Sequence, residues 1–421
     1  MSSVLSRSFA RGSFRSQVAK ASRAFSSSTD FNARNYRPYK DTPCSELAMN
    51  GAMFFAMSQG AANWAMPVVE SFIGKNSYLD KSIEFGLDNT AMKMFFIGKN
   101  LEEAKESVRK DAKKNIKTIF DYSPEGSENP SSDYYDDVTS VIVETAKAAR
   151  ELSQELPEQL APAIAIKIPA SPEFMERVSS KFERSDVLNE SDTKEWDDTQ
   201  RRVFDIFEAA QGKGKKKVDV LIDAEWSSIN PAIDKLAEHA REKGYDPIET
   251  VQCYLKDSPE KVSRIIEKGG SAKLVRGAYM ESENERAQEE GRPSPVFSKK
   301  KQTDDNYDEG VRRLVQAGNR VIVATHNDKS AKLAAELKEE NIDADITVAT
   351  LKGMPAPYCG DKVQKAIYGP WVKKILEGFP YFVRRTQENS GDAGKKGLKH
   401  VTDEAGYRFQ DLVTSAPLRE L

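Results

Sequence analysis

Val218-Asp219-Val220-Leu221-Ile222-Asp223 is a short, branched-aliphatic run that begins after a basic loop and ends on an acid. Its length and its nearly continuous apolar character read as a strand buried on both faces, as in a parallel sheet. Working outward, the same kind of run recurs. Upstream are 116–122 and 163–168. Downstream are 249–255, 272–279, 320–326, 345–350 and a weaker eighth run at 364–368. Amphipathic helical stretches such as 138–155, 258–268 and 329–341 lie between them. Eight alternating strand and helix units predict an α/β protein, a distorted (β/α)8 TIM barrel. An open dinucleotide-binding sheet fits less well, because no Gly-rich phosphate turn follows the first strand. The Gly-Lys-Gly-Lys-Lys-Lys stretch at 212–217 is neither a P-loop nor a dinucleotide fingerprint and reads as a surface turn.

The 421 residues leave room for helices beyond a barrel of about 250 residues. A net charge of −3 argues against nucleic acid as the main partner. Three scattered cysteines give no disulfide framework, and the three histidines show no metal-ligand spacing, so no metal is expected. Residues 1–30 carry Arg7, Arg11, Arg15, Lys20 and Arg23 among serines, with no acid before Asp30. That composition predicts a mitochondrial transit peptide. Residues 31–114 read as an N-terminal helical arm, and 115–421 as the barrel. Within the arm, 47–69 has no charged residue, yet Asn50, Gln59, Asn63 and Pro67 make it too polar for a membrane span. It suits a helix packed on a core or lying on a membrane surface.

In such barrels chemistry sits at the carboxyl ends of the strands. There the chain places Asp121, Lys167, Asp223, Gln252, Lys273 with Arg276, and Thr325 with His326. So many polar residues directed to one rim point to a ligand site. Beyond the last strand, Pro380 opens a helix carrying Arg384 and Arg385, with Glu388 spaced to brace a guanidinium on the same face. Paired arginine forks make a receptor for a small carboxylate. Lys273 and Arg276, with Gly277 permitting close backbone approach, point to a second anionic or electron-rich ligand.

Several of these segments together resemble the proline dehydrogenase family. Tyr381-Phe382-Val383-Arg384-Arg385-Thr386-Gln387-Glu388-Asn389 is similar to its C-terminal signature. Lys273–Tyr279, Ile222-Asp223-Ala224-Glu225 and Ala324-Thr325-His326-Asn327 resemble its fifth-, third- and sixth-strand motifs, and Pro295-Val296-Phe297 with Thr303-Asp304 and Tyr307 also fits. The likeness runs from about 116 to 390 in the family's order. It implies an FAD-dependent enzyme of the mitochondrial inner membrane, matrix side, that oxidises L-proline to Δ1-pyrroline-5-carboxylate and passes electrons to ubiquinone. By position, Arg384, Arg385 and Lys167 would hold the substrate carboxylate, and Glu388 would line the ring pocket or brace the arginines. Asp223 would sit over the site and orient Lys167, and Lys273 would approach the flavin's reactive nitrogen. Ala224, Gln252, Arg276, Gly277, Ala278, Thr325 and His326 would contact FAD. Glu125 would match the acid that pairs with a substrate arginine in the closed form.

The segment before the arginine helix departs from the family pattern. It reads Gln364-Lys365-Ala366-Ile367-Tyr368-Gly369-Pro370-Trp371, so by the resemblance Tyr368 would take the role of the tyrosine that packs on the substrate ring, whereas matching the glycine instead puts a lysine in that place. Proline and hydroxyproline both remain open as substrates. Two other readings are compatible with the residues: a Schiff-base aldolase using Lys167 or Lys273, and an inert barrel that binds membranes through 47–69.

Overall fold

The computed structural model describes residues 36–60, 73, 77–122, 131–212 and 218–415. The expected transit peptide, Glu125, most of the 212–217 loop and residues 61–69 of the uncharged stretch lie outside them. Residues 42–421 form one compact unit. Before the barrel come helices α1 (Cys44–Ser58), α2 (Ser77–Asn89), α3 (Ala91–Phe95) and α4 (Leu101–Lys113). Among the described residues no helix is long and apolar enough to cross a membrane.

Eight parallel strands then close into a barrel in sequence order: β1 (Ile116–Asp121), β2 (Ala163–Ile166), β3 (Val220–Ile222), β4 (Pro247–Gln252), β5 (Ser271–Val275), β6 (Val321–Ala324), β7 (Ile346–Leu351) and β8 (Gln364–Pro370). All eight expected strands are present. Several are shorter than the apolar runs, because residues such as Asp223, Arg276 and Thr325 leave the ladder and turn into the rim loops. The helices that follow are α5 (Ser132–Glu155), α6 (Pro172–Glu183), α7 (Glu190–Gln211), α8 (Asn230–Glu242), α9 (Ser258–Glu267), α10 (Met280–Glu289), α11 (Lys300–Gln316), α12 (Asp328–Glu340), α13 (Phe379–Glu388) and α14 (Asp392–Ser415).

Alternation along each strand sorts side chains into the barrel lumen or out against the helices. Phe120, Ile164, Ile166, Val220 and Ile222 pack outward on one side, and Val251, Leu274, Val323 and Val348 on the other. Ile119, Ala163, Ala165, Leu221, Ile248, Ile322, Ala349 and Ala366 fill the lumen, several of them alanines. Two residues further along the same inward face stand Asp121, Lys167, Asp223 and Tyr368. Ala165 pairs with Leu221, which brings Lys167 and Asp223 side by side at the ends of their strands, and Thr250 pairs with Lys273.

The opposite end is closed by charge. Lys117 donates to Asp219 at 2.6 Å, and Arg320 grips both Asp219 oxygens at 2.7 and 2.5 Å. Burial opposes ionisation of Asp219, but the two cations win and hold its carboxyl far below the usual value. Removing one member of such a cluster strands the others. Asp219→Asn is therefore expected to cost about 3 kcal/mol in urea denaturation. The depressed carboxyl also sets a sign. Its stabilisation is complete above the unfolded value of about 4 and declines as pH falls below it. The variant should lose less stability than the parent on acidification.

Candidate active site

Asp223 is the hub of the rim. One oxygen takes an ion pair from the Lys273 ammonium, and the other accepts the Tyr368 hydroxyl at 2.6 Å. Lys273 also lies 5.1 Å from the Tyr368 ring centroid. Three strands, β3, β5 and β8, are thus tied together inside the lumen. Lys273 is 5% exposed, so its charge needs this partner. Burial, together with the charges of Asp121 and Asp223, keeps the Tyr368 phenol protonated and able to donate. Both Asp223 oxygens thus have partners in Lys273 and Tyr368. Lys167 is half-buried at the tip of β2.

The arginine helix α13 lies across this mouth. Pro380 sits in its first turn, as expected. Tyr381, Phe382, Arg385 and Thr386 form its buried face. Arg385 is 8% exposed, donates to Glu388 at 2.5 Å and stacks 4.9 Å from the Tyr381 ring centroid. Its Nε and the Tyr381 hydroxyl are buried without a partner among the described residues. Arg384, one residue earlier, is exposed. Its charge nevertheless reaches the half-buried Tyr279 phenol, as do those of Glu225, Lys167 and Asp223. Glu388 lies in a concave spot, open to solvent yet surrounded by protein. That surrounding raises its carboxyl against the pull of Arg385 and Arg384.

On the β4–β6 side, Gln252 is buried, accepts from Asn230 at 3.0 Å and donates to the Glu225 carbonyl at 2.9 Å. Arg276 is held by Asp304 (2.7 Å), Thr325 (2.9 Å) and Ser330 (3.0 Å), over the Tyr307 ring. Gly277 has φ +127°, and a Cβ there would fall 1.3 Å from atoms of the Tyr254 ring. Gly277 and Ala278 are exposed and Ala224 is half-buried. His326 accepts the Leu351 N–H at Nε2 (3.0 Å) and donates from Nδ1 to the Pro355 carbonyl (3.0 Å). Burial pushes it down to about 4, so the ring is neutral at pH 7. Both nitrogens serve the β7 loop, and the N-terminus of α12 is capped by the neighbouring Asn327, which accepts from Lys329.

The structure thus brings Asp223, Ala224, Gln252, Lys273, Arg276, Gly277, Ala278, Thr325, His326, Tyr368, Arg385 and Glu388 to one face of the barrel. Asn230, Tyr254 and Ser330 were missed by sequence reasoning. They are ordinary loop and helix residues whose role appears only in three dimensions. The face fits a flavin on its donor set. It has small residues at the opening, a buried cation, and an Asn230 side-chain oxygen buried without a protein partner, which suits the N–H of a pyrimidine edge.

Residues 104–396 match the model of the family described as Proline dehydrogenase. The chain is 29% identical over 317 residues to the carbapenem antibiotics biosynthesis protein CarD of Pectobacterium carotovorum, covering 70% of this chain and 78% of that one. It is 34% identical over 208 residues to proline dehydrogenase 2, mitochondrial, of Arabidopsis thaliana, covering 42% of each. The fold is shared with proline utilization A from Bdellovibrio bacteriovorus, at TM-score 0.60 and 18% identity, over 86% of this chain and 44% of that one. The chain thus spans less than half the length of the Arabidopsis and Bdellovibrio proteins. With a family match over more than half of its length, seated on the barrel whose rim is described above, the chain belongs to the proline dehydrogenase family of FAD-dependent oxidoreductases.

Proposed function

We propose that this chain oxidises L-proline to Δ1-pyrroline-5-carboxylate. The observation that carries the reading is the buried, Glu388-braced Arg385 facing a lumen that already contains the Asp223–Lys273–Tyr368 cluster. A guanidinium with an unpartnered Nε is suited to take a carboxylate oxygen. Arg384 and Lys167 add positive potential on the solvent side. The Tyr368 ring, fixed through its hydroxyl to Asp223, offers a flat wall to a five-membered ring. That hydroxyl is already committed, so the wall gives no free donor to a 4-hydroxyl group, which favours proline over hydroxyproline.

FAD would be held by Gln252, Lys273, Arg276, Thr325 and the backbone at Gly277 and Ala278, with Ala224 and the His326 ring face alongside, and when bound it supplies the hydride acceptor. The protein's part is positioning and electrostatics. Arg385 and Arg384 fix the carboxylate end, which sets where the ring carbon beside nitrogen comes to rest. Lys273 places a buried positive charge beside the reacting region, with Asp223 limiting its reach. Glu125 is retained as a substrate-side acid of the closed form. Ubiquinone is the proposed electron acceptor, with a peripheral inner-membrane contact. The 1–30 composition and the mitochondrial Arabidopsis relative support a mitochondrial address, and the matrix side of the inner membrane is the proposed location.

Arg385→Met should lower kcat/KM for proline by two or more orders of magnitude while flavin content stays normal. Loss of flavin with unchanged turnover per bound flavin would refute the role of Arg385. For the cofactor, Gly277→Ala forces a Cβ into the Tyr254 ring at a backbone angle that disfavours side chains. It should lower the flavin-to-protein absorbance ratio several-fold, and a normal ratio would remove Gly277 from the FAD site.

A further inference from the structure

The segment Phe95-Phe96-Ile97, which ends α3 and leads towards α4, is built into the rim. All three residues are buried, at 0, 3 and 5% exposure. Each sits against a glycine that a side chain would fill. A Cβ on Gly353 of the β7–β8 loop would meet the Phe95 ring at 2.5 Å. One on Gly378, at the start of α13, would meet the Phe96 ring at 2.7 Å. One on Gly369 of β8 would meet Ile97 at 2.6 Å. The backbone joins in: the Ile97 N–H donates to the Pro370 carbonyl at 2.8 Å, and Gly98 bridges Trp371 in parallel register. The wedge is therefore pinned to the end of β8 by one backbone bond and an isolated β-bridge, with two aromatic rings directed at α13.

Phe95 packs on Phe382 at 5.8 Å between ring centroids, and Phe96 meets Tyr381 edge-on at 5.3 Å. The other contact of the Tyr381 ring is the Arg385 guanidinium at 4.9 Å. A continuous stack thus runs from Phe96 through Tyr381 to Arg385. Its geometry is directional, since edge-on rings and ring–cation contacts both weaken when a ring tilts. We propose that Phe96 is a positioning residue for substrate binding: through Tyr381 it sets where Arg385 presents its guanidinium, so an element outside the eight βα units tunes affinity for the substrate carboxylate. This rests on the reading of Arg385 as the carboxylate-binding group.

The test uses full-length, flavin-loaded protein and the non-oxidisable isostere (S)-tetrahydrofuran-2-carboxylate, titrated calorimetrically into the parent, Phe96→Met, Ile97→Val and Arg385→Met. Phe96→Met keeps apolar bulk but removes the ring. It should weaken binding at least tenfold and raise KM for proline more than it lowers kcat, with flavin content unchanged. Ile97→Val touches β8 rather than α13 and should bind as the parent does. If Arg385→Met loses binding and Phe96→Met does not, the positioning role is wrong and the carboxylate reading stands. If neither loses binding, the carboxylate reading fails and the positioning role with it. Should Phe96→Met yield no flavin-loaded protein, Phe96→Leu in the same titration decides by the same criteria.

Discussion

A single carboxylate holds the working end of this barrel together. Asp223 accepts a buried ammonium from β5 and a phenol from β8. Without it, Lys273 would be a lone charge in a lumen lined mainly by alanine and aliphatic side chains, an arrangement that costs several kcal/mol. The pairing neutralises that charge and fixes Tyr368 at both ends. The rim is therefore set in place by the protein's own contacts, with the cations of α13 and Lys167 standing above a locally balanced layer. An incoming anion meets the charges of Arg384, Arg385 and Lys167 there and reorganises little of the protein on entry.

The two ends of the barrel use the same kinds of residue for different purposes. At the floor, Asp219 is enclosed by Lys117 and Arg320, which together take both of its oxygens. At the mouth, Asp223 is matched by one cation and one phenol, while further cations crowd the opening. The floor closes the lumen, and the mouth keeps positive charge available. Strand direction and two-residue alternation convert the sequence into this asymmetry, because Asp219 and Asp223 lie on the same inward face of β3 four residues apart.

The barrel was readable from the chain because its strands are short apolar runs with abrupt polar ends, and each of the eight appears in the structure. The rim set was readable for the same reason: a polar residue closing a buried strand has few places to point. Pairings were harder to read. The contact between Asp223 and Lys273 skips β4, and nothing in their fifty-residue separation announces it. Nor does the sequence announce that Asn327 caps α12 while the imidazole of the adjacent His326 ties down the β7 loop. The Phe95-Phe96-Ile97 wedge read simply as part of a helical arm, because what makes it part of the site is three glycines more than 250 residues away.

The central claim is that this rim holds a small amino acid's acid group beside a tightly bound flavin. Its most direct measurement is the visible spectrum of the purified protein under anaerobic conditions, before and after addition of L-proline. The account predicts a flavin spectrum that bleaches as proline is added and no bleaching with an amino acid that lacks a secondary amine. A colourless protein, or a flavin whose spectrum is indifferent to proline, would contradict it.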